Sequence, residues 1–298
     1  MRKEGGVKII EAILYQELEN GILKCAVCNH RCTIEEGKRG ICGVRENRQG
    51  KLYALNYGKT IAVHADLIEK KPLYHFLPGT MIYSLASVGC NFRCSWCQNW
   101  EIAQSPKPSK PIEGVDISPE EHVRRALDYA CPSLAYTYSE PTIFAEYALE
   151  TMKLAREKGL KNVWVTNGYM SRETLDAILP YLDAANVDFK GPNDGVYESY
   201  CGGKAEPIME NLKYLHEAGV HLEITTLVVP GVNDKPSQLE MIAQFIAAEL
   251  SQDVPWHVSR FFPSWKMMDT PITPVETLEK AKVIGKNAGL KYIHVGNV

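Results

Sequence analysis

From residue 82 onward, short apolar runs alternate with stretches whose apolar positions recur every three or four residues. The runs are Ile82–Val88, Leu134–Tyr138, Asn162–Thr166, Ala185–Phe189, His221–Val229 and Trp256–Phe262, with a shorter last one at Tyr292–Val295. Their length and their β-branched and aromatic content predict buried strands. The stretches between them predict helices. Ser118-Pro-Glu-Glu121 is a capping box with proline at the first helical position, opening a helix to about Ala130. Phe144–Lys158 is a helix stopped by Gly159, and another helix starts at Ser171. Ile208, Leu212 and Leu215 mark a helical face that ends before Gly219; Leu239, Ile242, Ala243 and Ile246 mark the next. Thr273-Pro-Val-Glu276 is a second capping box, opening a helix that fades near Gly289.

Sequential β-α units of this kind mean an α/β protein with a parallel sheet and helical crossovers. Ligand-binding groups then belong at the C-terminal ends of the strands. An open doubly wound sheet is the alternative to a curved one. Residues 1–80 lack the rhythm and read as a Cys-rich N-terminal extension packed on a core of residues 81–298. Within the extension, Leu52–Tyr57 and Thr60–His64 flank Gly58-Lys59 and predict a hairpin. The proline-rich segment Ser105–Pro111 reads as a rigid connector or a lid.

Composition narrows the class. The 298 residues are 45% hydrophobic and 23% charged, ordinary for a globular protein with a full core. A net charge of −3 gives no general attraction for nucleic acid or an anionic membrane. No apolar stretch approaches the ~20 residues of a membrane helix. Met-Arg-Lys-Glu-Gly-Gly-Val-Lys at the start is followed by no signal-peptide core. These features point to a cytoplasmic protein. Nine cysteines grouped at metal-ligand spacings point to metal binding in a reducing compartment rather than to disulfides.

Cys90, Cys94 and Cys97 form C-x3-C-x2-C directly after an apolar run. Three thiolates can hold three irons of a [4Fe-4S] cluster and leave the fourth without a protein ligand. An open metal position is where a substrate or cofactor binds. A zinc site would want a fourth ligand, and none follows within this loop. Cys25, Cys28, Cys32 and Cys42 have the spacing for four ligands, with Gly37, Gly40 and Gly43 permitting tight turns. A structural zinc site is the first reading there, an auxiliary [4Fe-4S] cluster the second and unligated cysteines the third. His30 could replace one cysteine. Cys131 and Cys201 have no partner spacing and read as packing residues.

The C-x3-C-x2-C loop, with Trp96 just before its last cysteine, resembles the radical S-adenosylmethionine (radical SAM) superfamily. The resemblance implies a partial (β/α)6 barrel and a [4Fe-4S] cluster whose open iron is chelated by SAM. It further implies reductive cleavage of SAM to a 5′-deoxyadenosyl radical that abstracts hydrogen from a substrate. By the same resemblance, Trp96 lies against the adenine. Ser139 and Glu140 stand in a loop, Tyr138-Ser-Glu-Pro-Thr142, where the family carries Gly-Gly-Glu-Pro and binds the SAM amino group. A helix cap is the alternative for Glu140. Val165-Thr166-Asn167-Gly168 resembles Asp-Thr-Asn-Gly of glycyl-radical-enzyme activating enzymes, with valine in place of the aspartate. Ala185-Asn-Val-Asp188-Phe-Lys190 resembles their Asp-Leu-Lys. Lys190 would meet the SAM carboxylate and Asp188 would orient Lys190 or meet a cation; a structural ion pair is the alternative. Val229, in Leu227–Asp234, would pack on adenine, while Asn233-Asp234 could equally cap the next helix. Arg260 would hold a carboxylate of SAM or substrate. His257 and His75 read as hydrogen-bonded core residues.

Longer segments extend the likeness over essentially the whole chain. Gly37–Asn47, Ile68–Gly79, Cys97–Trp100, Tyr136–Thr142 and Trp256–Phe261 resemble the AmmeMemoRadiSam group, related to pyruvate formate-lyase activating enzymes. That implies Memo-like and AMMECR-like partners and a flavodoxin or ferredoxin reductant. Many relatives in that group continue past Gly-Asn-Val with a short cysteine-bearing tail. A non-catalytic iron–sulfur and zinc protein, an electron carrier or scaffold, is the alternative function.

Overall fold

Eight strands hydrogen-bond in the order in which they occur along the chain. They are β1 (Ala62–Leu67), β2 (Met81–Ala86), β3 (Ser133–Tyr136), β4 (Lys161–Thr166), β5 (Ala184–Asp188), β6 (His221–Val228), β7 (Trp256–Arg260) and β8 (Ile293–Gly296). β2 through β8 are parallel, and β1 is an antiparallel edge pairing Leu67 with Met81 and Ala62 with Ala86. The structure is a computed structural model that describes residues 2–4, 7–106 and 110–298. Residues 107–109 of the expected connector Ser105–Pro111 lie outside the described residues.

The crossovers contain α1 (Pro119–Asp128), α2 (Ala145–Glu157), α3 (Arg172–Ile178), α4 (Glu206–Glu217), α5 (Pro236–Phe245) and α6 (Val275–Asn287). Parallel strands joined in sequence follow right-handed crossovers as a rule, which puts their helices on one face of the sheet. A doubly wound sheet reverses strand order at a switch point, and no reversal occurs here. The fold is therefore a mixed α/β fold wound in one direction.

Local sequence explains most of these boundaries. Ser118 accepts a hydrogen bond from the Glu121 amide at 3.2 Å, and Ser171 accepts one from the Thr174 amide at 3.1 Å. Gly159 closes α2 at φ 76°. Thr273 does not form the expected capping box. Its hydroxyl donates to the Val228 carbonyl at 2.6 Å and accepts from the Phe261 amide at 3.1 Å. It thereby staples the ends of β6 and β7, and α6 begins without it. Nor does Asn233 cap α5. Its side chain accepts from the Val229 amide and donates to the Leu227 and Lys190 carbonyls.

The hairpin expected around Gly58-Lys59 does not form. Lys51–Ala54 pairs instead with Arg45–Arg48 across Gln49 and Gly50, at φ 54° and 72°. Two successive positive φ values are what a two-residue hairpin turn requires. Lys59–Thr60 pairs with Val115–Asp116, and the following strand becomes β1 of the main sheet. Alternation marked the strands but not their long-range partners. Part of residues 1–80 thus belongs to the main sheet.

Glu223 on β6 is fully buried and holds the lower part of the sheet together. It accepts from His257 at 2.7 Å, from His221 at 3.0 Å and from the amides of Tyr74 and His75. His75 in turn meets His294 at 2.9 Å. His257 is therefore a core residue, as expected, whereas His75 is exposed and only its backbone amide reaches the buried carboxylate. Burial opposes ionisation of Glu223, but these four donors outweigh it and hold the carboxyl below its usual range. Glu223→Gln is expected to lower stability by about 2–3 kcal/mol near neutral pH, read by chemical denaturation. A depressed folded pKa contributes stability that is complete above the unfolded value of about 4.3 and is lost as pH falls through the folded one. The gap between wild type and variant should therefore shrink in strong acid. A gap independent of pH would mean that Glu223 acts by packing alone.

Candidate functional site

The ends of β2 to β7 and the loops that follow them surround a cavity of about 400 Å³. β2 runs into the cysteine loop, and Cys90, Cys94, Cys97 and Trp96 all reach the cavity wall. Ser139 and Glu140 enter from the end of β3, Thr166 and Asn167 from β4, and Asp188 and Lys190 from β5. The parallel sheet brings these together because each follows its strand at the C-terminal edge.

Gly89 opens the cysteine loop at φ 104°, and a side chain there would meet the Cys42 carbonyl at 3.0 Å. Only glycine fits that approach between the loop and the extension. The Phe92 amide donates to the Cys90 sulfur at 3.3 Å, and the Asn167 side chain reaches it at 3.9 Å. Burial pushes the Cys90 thiol well up and the Cys97 thiol to about 11. Cys94 moves down, because the thiol of Cys201 bonds to it. Cys201 is thus a neighbour of the cysteine loop and not plain packing; nothing in its local sequence signals that.

Glu140 is buried and its carboxylate is already committed. It accepts from Thr142 (amide and hydroxyl), from the Thr166 hydroxyl at 2.6 Å and from the Asn167 amide at 2.8 Å. It caps the turn at Pro141–Phe144 and ties the end of β3 to that of β4. Its place is that of a positioning residue, with the cap predominating over the expected direct ligand role. Ser139 donates to the Ser87 carbonyl at 2.6 Å. Tyr138 takes φ 64°, a left-handed conformation, where the sequence has tyrosine in place of glycine. Its hydroxyl accepts from Lys71, itself buried, on the cavity wall.

Lys190 is buried and pairs with the half-exposed Asp188 at 3.2 Å. Burial disfavours its charge, yet Asp188 and the thiols of Cys94 and Cys201 outweigh that and raise its pKa well above the usual value. A fixed ammonium beside three cysteines suits an anionic ligand group. Val165 lines the wall with an apolar surface.

Two expected residues are not brought to the cavity. β6 ends at Val228, and Val229 turns away into the core; Leu227, two residues earlier, lines the wall. Arg260 lies on the opposite face of β7 from Ser259, and its guanidinium donates to the Thr273 carbonyl at 2.8 Å. Ser259 lines the cavity in its place. Strand alternation points to Leu227 and Ser259 once the strand register is known.

The other four cysteines gather in the extension. Cys25, Cys28, Cys32 and Cys42 line an enclosed void against the cysteine loop, together with His30. The His30 ring is engaged with the Asn91 carbonyl at 2.8 Å. Among the described residues, no three His, Cys, Asp or Glu side chains are close enough to share one metal ion. None of the helices described is long and apolar enough to cross a membrane.

Comparison with known proteins follows this geometry. The Radical SAM superfamily model matches residues 85–246. An uncharacterized protein of Methanocaldococcus jannaschii is 46% identical over 97% of this chain and 85% of its own. The pyruvate formate-lyase-activating enzyme of Clostridium pasteurianum is 24% identical over 65% of this chain and 83% of its own. Among solved structures, a radical SAM methyltransferase from Sphaerobacter thermophilus superposes with TM-score 0.56 at 17% identity, covering 74% of this chain and 67% of that one. Streptococcus suis SuiB bound to S-adenosylmethionine gives 0.55 at 13% identity, covering 71% and 49%.

Proposed function

Because this chain belongs to the radical SAM superfamily, we propose that it is an enzyme that cleaves S-adenosylmethionine reductively and uses the resulting radical to abstract hydrogen from a substrate. The observation that carries the reading is the shared cavity. Cys90, Cys94 and Cys97 open onto the same space as Trp96, Asn167, Asp188 and Lys190. The donor set fits a [4Fe-4S] cluster with one open iron: three thiols on one loop, an amide directed at Cys90 and no fourth thiol on the cavity wall. When bound, the reduced cluster supplies the electron that breaks the SAM sulfonium bond and releases a 5′-deoxyadenosyl radical.

The chain's own residues do the rest. Lys190, fixed by Asp188, neutralises a carboxylate; Ser139 and Asn167 present polar groups to the amino end of the ligand. Glu140 holds those two loops in register. Trp96 and Leu227 offer apolar surface for an adenine and keep water from the reacting centre. The fold we infer is a partial (β/α)6 barrel, since helices confined to one face favour a sheet that curls around the other. A low-potential flavodoxin or ferredoxin would deliver the electron. The activating-enzyme likeness favours a polypeptide substrate, and Memo-like or AMMECR-like proteins are the partners we infer.

The test is anaerobic reconstitution. The protein should gain thiolate-to-iron absorption and a reduced-cluster EPR signal that changes when SAM is added. Under dithionite it should release 5′-deoxyadenosine slowly without substrate. A protein that binds iron and sulfide yet never produces 5′-deoxyadenosine would favour the electron-carrier reading.

A further inference from the structure

We infer that Cys25, Cys28, Cys32 and Cys42 hold a second [4Fe-4S] cluster, closed by four thiolates, rather than a single zinc ion. The inference concerns a different site from the one above and does not depend on its chemistry.

The spacing of the thiols decides between the two. Four thiolates on one zinc sit about 2.3 Å from it, which puts the sulfurs in mutual contact and leaves no space between them. Here the four thiols line one small void of about 10 Å³ without closing on a common point. No three of them converge on a single-ion position. A cubane carries one iron per thiolate and so holds the sulfurs apart instead of drawing them onto one point. Cys90, Cys94 and Cys97 are splayed in the same sense.

The surroundings are built for an anionic sulfur cluster. The amides of Val27, His30 and Val44 point at the sulfurs of Cys25, Cys28 and Cys42. Each lies two residues after its cysteine, the relation that Phe92 has to Cys90. Two further donors have no partner at all: Arg45 Nε and Asn91 Nδ2, both buried, on residues that line the void. An unpaired buried donor costs about 1–3 kcal/mol. Sulfides and thiolates carrying net negative charge would accept from both. The remaining wall is apolar, with Val27, Ile34 and Ile143, which keeps water from the cluster.

Position gives the second cluster a relation to the first. Asn91 lines the void and is the residue after Cys90. Its side-chain oxygen accepts from Asn167 at 2.7 Å, and its carbonyl meets His30 at 2.8 Å. The two cysteine sets are therefore joined through one residue.

The experiment is metal and sulfide analysis after anaerobic reconstitution. Wild type should hold about eight irons and eight sulfides per chain, and a Cys90/Cys94/Cys97→Ala triple variant about four of each. The variant's reduced EPR signal should not respond to SAM, because a cluster closed by four thiolates offers no open iron. Cys28→Ser in the otherwise intact chain should lose the SAM-insensitive signal and keep the SAM-sensitive one. About four irons plus one zinc in wild type would overturn the inference, as would a wild type with four irons and no second metal. The wild-type count decides the matter even where a variant fails to fold.

Discussion

Cys94→Ala is expected to reduce iron and sulfide at the first site to background and to abolish SAM cleavage. Two thiolates cannot hold the three irons that the loop geometry assigns, and among the described residues no further thiol lines the cavity. Cys201 is the nearest substitute, since its thiol contacts Cys94. It is fully buried and is the last residue of a helical turn closed by Gly202 at φ 80°, so it cannot swing into the cavity without unwinding the turn. Cys131→Ala is the control: its thiol is buried in the apolar core, with the Tyr129 carbonyl at 3.8 Å, and does not line the cavity. It should leave iron content and 5′-deoxyadenosine formation unchanged. Wild-type turnover in Cys94→Ala would remove the loop from the mechanism.

Lys190 separates binding from chemistry in the same assay. Lys190→Met keeps the cysteines and much of the side-chain volume but leaves Asp188 without its partner at 3.2 Å. A charged hydrogen bond to a ligand carboxylate is worth about 1.5–3 kcal/mol. The variant should retain its cluster and its EPR signal, while the SAM-induced change in that signal moves to concentrations roughly 10-fold to 100-fold higher.

The β-α core was legible because glycine and capping residues punctuate it. Ser118, Ser171 and Gly159 do in the structure what their chemistry requires. The cysteine loop was legible because its spacing is local. What failed was non-local. Leu52–Tyr57 reads as half of a hairpin, yet its partner is Arg45–Arg48, selected by Gln49-Gly50 rather than by Gly58-Lys59. Arg260 is attractive as an anion ligand by type, but β7 turns it to the other face and Thr273 takes its donor. Val229 falls one residue beyond the end of β6, where alternation no longer predicts direction. Residues whose role depends on a partner far along the chain, such as Asn91, Cys201 and Lys71, carry no local mark.

The extension is locked to the core by a fully buried ion pair, and breaking it should be strongly destabilising. Arg45 follows Cys42 by three residues, and Glu146 stands in the first turn of α2. Both are buried, and the pair is bidentate at 2.6 and 2.7 Å. Arg45 also donates to the Ile143 carbonyl, and Glu146 accepts from the Ile13 amide. Glu146→Gln removes the counter-charge and leaves a guanidinium in the interior, a loss of about 3–5 kcal/mol. Replacing both by apolar residues, Arg45→Met with Glu146→Leu, removes the buried charge itself and should cost clearly less than the single change. Burial opposes ionisation of Glu146, but Arg45 outweighs it and lowers the pKa. The pair's contribution is therefore complete above the usual carboxylate range and fades as pH falls through the depressed value. Denaturation of wild type, single and double variants at neutral pH and in acid separates these terms. If the double variant were as unstable as Glu146→Gln, the pair would matter for its shape and not for its charge. Hydrogen exchange should show the loss of Glu146 first in Cys25–Cys42, because Arg45 closes the wall of that second cysteine site.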